Sequence, residues 1–123
     1  MNTQEPASKT SFFGSVDILT IEHIRRLYET KQYSFSEHFS VRLHQRGITL
    51  ADIHSCMLHG VIAEKYPEDP RGSSCLIAGI STTCKPLHVV IGVDIASILY
   101  ITAYYPNDDE WDSTYTKRLK GDD

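Results

Sequence analysis

The chain has 123 residues, 41% of them hydrophobic, and a formal charge of −4 from 12 Lys and Arg against 16 Asp and Glu. That length suits one compact core of about 100 to 150 residues. The acidic balance argues against indiscriminate binding to nucleic acid or anionic lipid, which needs a broad basic surface. The apolar runs 87–93 and 98–103 fall far short of the roughly 20 residues a membrane helix needs. Residues 1–14 lack the apolar segment of a secretory signal, so a cytoplasmic location and no membrane partner are expected.

In chain order, 1–14 mixes Pro, Ser, Thr and Gly without a period and reads as a mobile arm ahead of one domain over 15–123. From 17 to 31, Ile18, Ile21, Ile24, Leu27 and Tyr28 recur at three- and four-residue spacing, which predicts an amphipathic helix. Ser34 with Glu37 has capping-box spacing and Gly47 can supply a left-handed stop, so a second helix is predicted over 35–46. Thr49 with Asp52 repeats the start and Gly60 the stop, giving a third helix over 50–59. Strand patterns then cover 61–66, 74–80, 87–93 and 98–105, separated by short turn-forming stretches. Pro106 ends the last strand, and acids followed by bases over 108–119 predict a C-terminal helix aligned with its dipole. The expected fold is α+β: N-terminal helices packed on a small four-stranded antiparallel sheet, with a helix after it.

Charge is unevenly spread. Residues 15–50 carry five basic side chains against four acidic ones, with three histidines besides. On the second predicted helix His38, Arg42 and Arg46 stand at i, i+4 and i+8, beside an apolar row of Phe35, Phe39 and Leu43. Guanidinium forks match phosphate oxygens and stay charged, so this row is a candidate phosphate site; the competing reading is a solvated basic face. On the sheet, alternation sets Leu87, Val89, Ile91 and Val93 opposite His88, and Leu99, Ile101 and Ala103 opposite Tyr100, Thr102 and Tyr104. Cleavage of a phosphodiester by a ribose 2′-hydroxyl needs a base, an acid and positive charge on the transition state, which His, Tyr, Lys and Arg can supply. Taken alone, His88 also reads as an ordinary hydrogen-bonded strand histidine.

Cys56, Cys75 and Cys84 form neither a disulfide framework nor a CxxC pair, and each reads as a small buried hydrophobe. His54 and His59 are five apart, on different sides of a helix, so no metal or other cofactor is expected. Glu68-Asp69 and Asp108-Asp109 fall in turns or a helix start, where solvation or capping accounts for them.

The segments EHFSVRLHQRGIT, ADI, HGVIAEKYPED, KPLHVVIGVD and ITAYYP, followed by WD, resemble a widespread bacterial domain family of unknown function. That family is similar to the RelE/ParE-like toxin superfamily and is commonly encoded beside antitoxin-like proteins with a zinc-finger segment. The resemblance implies helices on a small antiparallel sheet and a metal-independent endoribonuclease that cuts mRNA, often on the ribosome, with a cognate antitoxin as partner. Carried onto this chain, it points to His38, Arg42, Arg46, Lys85, His88, Tyr104 or Tyr105, and Arg118. The resulting expectation is a toxin in which Arg42, Arg46 and Arg118 hold phosphate, His38 or His88 acts as base and acid, and Lys85 and Tyr104 assist. A non-catalytic protein-binding module of the same fold and a ParE-like topoisomerase inhibitor are the alternatives.

Overall fold

A computed structural model describes residues 17–119; the arm expected over 1–14 lies outside them. Helix α1, Ile21–Glu29, starts where Thr20 accepts a hydrogen bond from the His23 amide, and buries His23, Ile24 and Leu27. It stops at Lys31, whose φ of 61° turns the chain out of the helix. Strand β1, Tyr33–Phe35, follows. Helix α2, Phe39–Arg46, ends at Gly47 with φ 67°, the left-handed conformation that favours glycine, and helix α3, Leu50–His59, starts with a complete Thr49–Asp52 capping box. Gly60 ends α3 in extended backbone instead, and a Cβ there would sit 2.6 Å from the Cys56 carbonyl oxygen. Its role is close approach of helix to sheet. Strands β2, Val61–Tyr66, β3, Ser74–Ile80, β4, Pro86–Val93, and β5, Ile98–Tyr104, complete the fold.

Three expectations are corrected. The sheet has five strands, not four, in the order β1-β5-β4-β3-β2, and it is mixed, because β1 runs parallel to β5 while the other neighbours are antiparallel. Strand β1 replaces the start expected for the second helix. The Ser34–Glu37 cap is not made; Ser34 lies in the strand, and His38 occupies the cap position without a side-chain bond. The Phe35–Phe39 spacing that suggested one helix is satisfied across a strand–helix corner, where the two rings stack at 5.4 Å.

The third correction concerns the C-terminal helix expected over 108–119, which is absent; that stretch is a series of turns closed by a bridge between Trp111 and Arg118. The Asp112 carboxylate accepts from the amides of Thr114 and Thr116 and from the Thr114 hydroxyl, and Tyr115 takes a φ of 59°. Short polar side chains that bond nearby amides compete with helical bonding, and here they outweigh the favourable charge pattern.

The three helices of the described residues pack on one face of the sheet. There Ile24, Leu27, Phe39, Leu43, Ile53, Cys56 and Met57 meet Cys75, Ile77, Leu87, Val89, Ile91 and Ala103. A register shift at Val90/Ile91 pairs Ile91 with Tyr100 and Val90 with Thr102, leaving Ile101 without a partner. Tyr100 therefore turns into the core and Leu99 stays 42% exposed, the reverse of simple alternation. Among the described residues no helix is long and apolar enough to cross a membrane.

Candidate functional site

The face of the sheet away from the helices carries the polar cluster. His88 and Tyr104 are direct cross-strand partners on β4 and β5, and Glu64 and Tyr66, two apart on β2, share a face of their strand. The 107–119 turns fold over this end of the sheet. His88 has no exposed surface: Trp111 packs edge-on against its ring at 4.5 Å, and Tyr104 does so at 5.4 Å.

Hydrogen bonding settles the tautomer of His88. Its Nε2 lies 2.7 Å from the Tyr115 carbonyl oxygen, which can only accept, so the ring proton sits on Nε2. Nδ1 is then the acceptor, and the Tyr104 hydroxyl donates to it over a long 3.4 Å. Burial holds the imidazole below the ordinary histidine range, outweighing the Tyr115 carbonyl and the Glu64 charge, which favour protonation. Burial likewise raises the Tyr104 phenol, so both groups are neutral near neutral pH.

Beside this pair stands an ion pair. Arg118 Nε is 2.8 Å from one oxygen of Glu64 and its Nη2 is 3.3 Å from the other, while Tyr66 donates its hydroxyl to the same carboxylate. Burial opposes the Glu64 charge, but the bonds from Arg118 and Tyr66 together keep the carboxyl below its usual range. Tyr66 is pushed up to about 12, by burial first and then by its bond to Glu64. The Arg118 guanidinium also lies over the Trp111 ring at 4.6 Å, a contact within the turns that holds the guanidinium in place beside Glu64.

Arg46 joins this side of the molecule from the helix layer. Strand β1 covers β5 only from Ile98 to Tyr100, and beyond it Arg46 reaches the free flank, donating to Thr102 Oγ1 at 3.1 Å and to the Ala103 carbonyl at 2.8 Å. Its charge and that of Arg118 both act on Tyr104. Of the residues singled out by sequence, His88, Tyr104, Arg46 and Arg118 thus gather at one end of the sheet. The others stand elsewhere. Lys85 lies over the Tyr105 ring at 5.5 Å, and Tyr105 bonds the Gly47 carbonyl, so both belong at the end of α2. His38 and Arg42 are exposed, and among the described residues their side chains have no hydrogen-bond or ion-pair partner.

Glu64, Tyr66, Trp111 and Tyr115 were not expected as site residues, although the first three lie in the segments that carry the family resemblance. Glu64 and Tyr66 show the i, i+2 spacing of one strand face, but only the strand order brings them near His88. Among the described residues no group of three or more His, Cys, Asp or Glu gathers in a way that could hold a metal ion. A groove of about 910 Å³ lies at the other end of the sheet, between the 67–74 loop and the β4–β5 turn, and includes neither the His88 cluster nor Arg46.

Neither a curated protein nor a solved structure matches this chain. A family model does, over residues 35–105, from the end of β1 through β5. That span holds His88, Tyr104, Arg46, Glu64 and Tyr66, and stops short of the turns that cover them. With more than half its length matched, the chain belongs to the family of the domain of unknown function DUF4258.

Proposed function

We propose that this domain is an endoribonuclease toxin that cleaves mRNA by attack of a ribose 2′-hydroxyl, with Tyr104 and His88 as a proton relay. One observation carries the reading: the Tyr104 hydroxyl points its proton at a neutral His88 Nδ1 while Arg46 and Arg118 supply positive charge beside it. A phenol with a raised pKa is a poor base by itself. Backed by an imidazole, it can take the 2′-hydroxyl proton as its own proton passes to Nδ1. The 2′ oxygen then bonds to phosphorus, the bond to the 5′ oxygen breaks, that oxygen takes a proton from water, and the hydroxide so formed recovers the proton held on His88 through Tyr104. The products are a 2′,3′-cyclic phosphate and a 5′-hydroxyl. The guanidinium groups would stabilise the charge on the phosphoryl oxygens, for which Arg118 must exchange Glu64 for phosphate. The expectation, drawn from the sequence motifs, that the family is similar to RelE/ParE-like toxins points the same way.

A test is incubation of labelled RNA, free and on translating ribosomes, with the purified protein. Cyclic-phosphate ends are expected, and Tyr104→Phe should slow their appearance by about 10²- to 10⁴-fold. Intact RNA in both settings would end this reading. The second reading, a non-catalytic protein-binding module, draws on the enclosure of His88 and the neutralisation of Arg118 by Glu64; it is favoured if Tyr104→Phe leaves both growth inhibition and partner binding unchanged.

A further inference from the structure

At the corner where β1 meets α2, aromatic rings run in series from the surface. Tyr28 stacks on Tyr33 at 5.5 Å, Tyr33 lies 5.8 Å from Phe35, and Phe35 stacks on Phe39 at 5.4 Å with the planes 9° apart. Phe39 and Tyr100 form the buried floor, each 1% exposed, yet Phe35 above them is 45% exposed. Phe35 is therefore left half-exposed while resting on two buried rings. The adjoining charge is cationic. Between residues 30 and 51 the chain has one acid, Glu37, against Lys31, Arg42 and Arg46, with His38 and His44 besides. His38 and Arg42, on either side of Phe39 in sequence, are exposed and have no side-chain partner among the described residues.

We infer that this corner is a binding site for single-stranded RNA, with one base stacked on Phe35 and the neighbouring phosphates held by Arg42 and His38. A base offers a flat face that an exposed ring can cover, and a strand's phosphates are the natural partners of unpaired cations beside it. A duplex keeps its bases stacked on each other and has none free for Phe35. The row continues along α2 to Arg46, which reaches the flank of β5 near Tyr104. The site goes beyond the cleavage reading and requires only binding.

The test is fluorescence anisotropy with a 2′-O-methyl oligoribonucleotide of about 12 nucleotides, which has no 2′-hydroxyl and cannot be cut by the proposed route. Cleavage activity therefore plays no part in the result. Wild type should bind the single strand more tightly than the matching duplex. Phe35→Leu, which keeps an apolar side chain over Phe39, should weaken binding about 5- to 100-fold, and Phe35→Trp should preserve it. Arg42→Ala should weaken binding and lower the slope of log affinity against log salt by about 0.7. Melting curves check that the Phe35→Leu protein is folded. No binding by wild type, equal binding of duplex, or a folded Phe35→Leu protein that binds like wild type would each overturn the site. Retention of a protein partner through Phe35 without RNA binding would also overturn it, and would make the corner a protein interface.

Discussion

His88 on β4 donates from Nε2 to the carbonyl oxygen of Tyr115, 27 residues along the chain and 2.7 Å away. This bond links the sheet to the 107–119 turns, and Trp111, the single tryptophan, packs against the same imidazole. Removing the donor leaves a part-buried carbonyl unpaired, which costs up to about 1–3 kcal/mol. His88→Leu, similar in bulk, is expected to lower the unfolding free energy by that amount and to shift Trp111 emission to longer wavelength as the turns loosen. Unchanged melting and emission would mean that Arg118 and Trp111 hold the turns without this bond.

The same histidine predicts a pH dependence. Its folded-state pKa is lowered, chiefly by burial, so above about pH 6.5 it is neutral in both the folded and the unfolded chain. Below that, the unfolded chain binds a proton that the folded protein refuses until its own lower pKa is reached. Stability should fall as the pH drops through this window. Urea midpoints measured between about pH 7.5 and 5 should decline in wild type, with a smaller decline in His88→Leu. Parallel profiles for the two proteins would assign the effect to other groups.

The three cysteines separate by environment. Cys56 and Cys75 are buried, and burial alone pushes Cys56 up to about 12; Cys75 reaches about 12 for the same reason, against a weak opposing pull from Lys65. Cys84 is exposed in the β3–β4 turn, with φ 66°, which corrects the expectation that all three are buried. Thiolate is the reactive form, so a thiol reagent should modify one cysteine quickly in the native protein and three after denaturation. Cys84→Ser should abolish the fast phase. Fast modification of two thiols would show that a core strand opens readily.

Elements with their own local signals were legible in the sequence: the Thr49–Asp52 box, the Gly47 stop, and the Pro- and Gly-bounded strands. Strand β1 was not, because three residues are too few for alternation, and its pairing partner lies some 65 positions on, as in Ser34 with Leu99. The inward turn of Tyr100 depends on a one-residue register shift opposite β4, which no pattern within β5 reveals. The candidate site was half legible for the same reason. His88 and Tyr104 could be set on one face by alternation, but Glu64 joins them only through the strand order, and Arg118 only through turns that replace the expected helix. The row His38, Arg42, Arg46 was visible as spacing, yet Arg46 alone bonds β5, because it sits in the last turn of α2, past the reach of β1.

Tyr100 sets the last prediction. Its ring is 1% exposed and packs 5.5 Å from Tyr33, 5.3 Å from Phe35 and 5.3 Å from Phe39, while its hydroxyl, among the described residues, is the buried side-chain polar atom with no hydrogen-bond partner. Burial raises the phenol pKa strongly, so the group stays protonated and its donor is unsatisfied. An unpaired buried polar group opposes folding by about 1–3 kcal/mol, whereas the ring favours it through contact with its neighbours. Tyr100→Phe removes the first and keeps the second, so the chemical-denaturation midpoint should hold or rise. Tyr100→Ala removes both and leaves a cavity, with an expected loss of about 3–5 kcal/mol. A Tyr100→Phe protein less stable than wild type by more than about 1 kcal/mol would show that the hydroxyl has a partner and overturn this account.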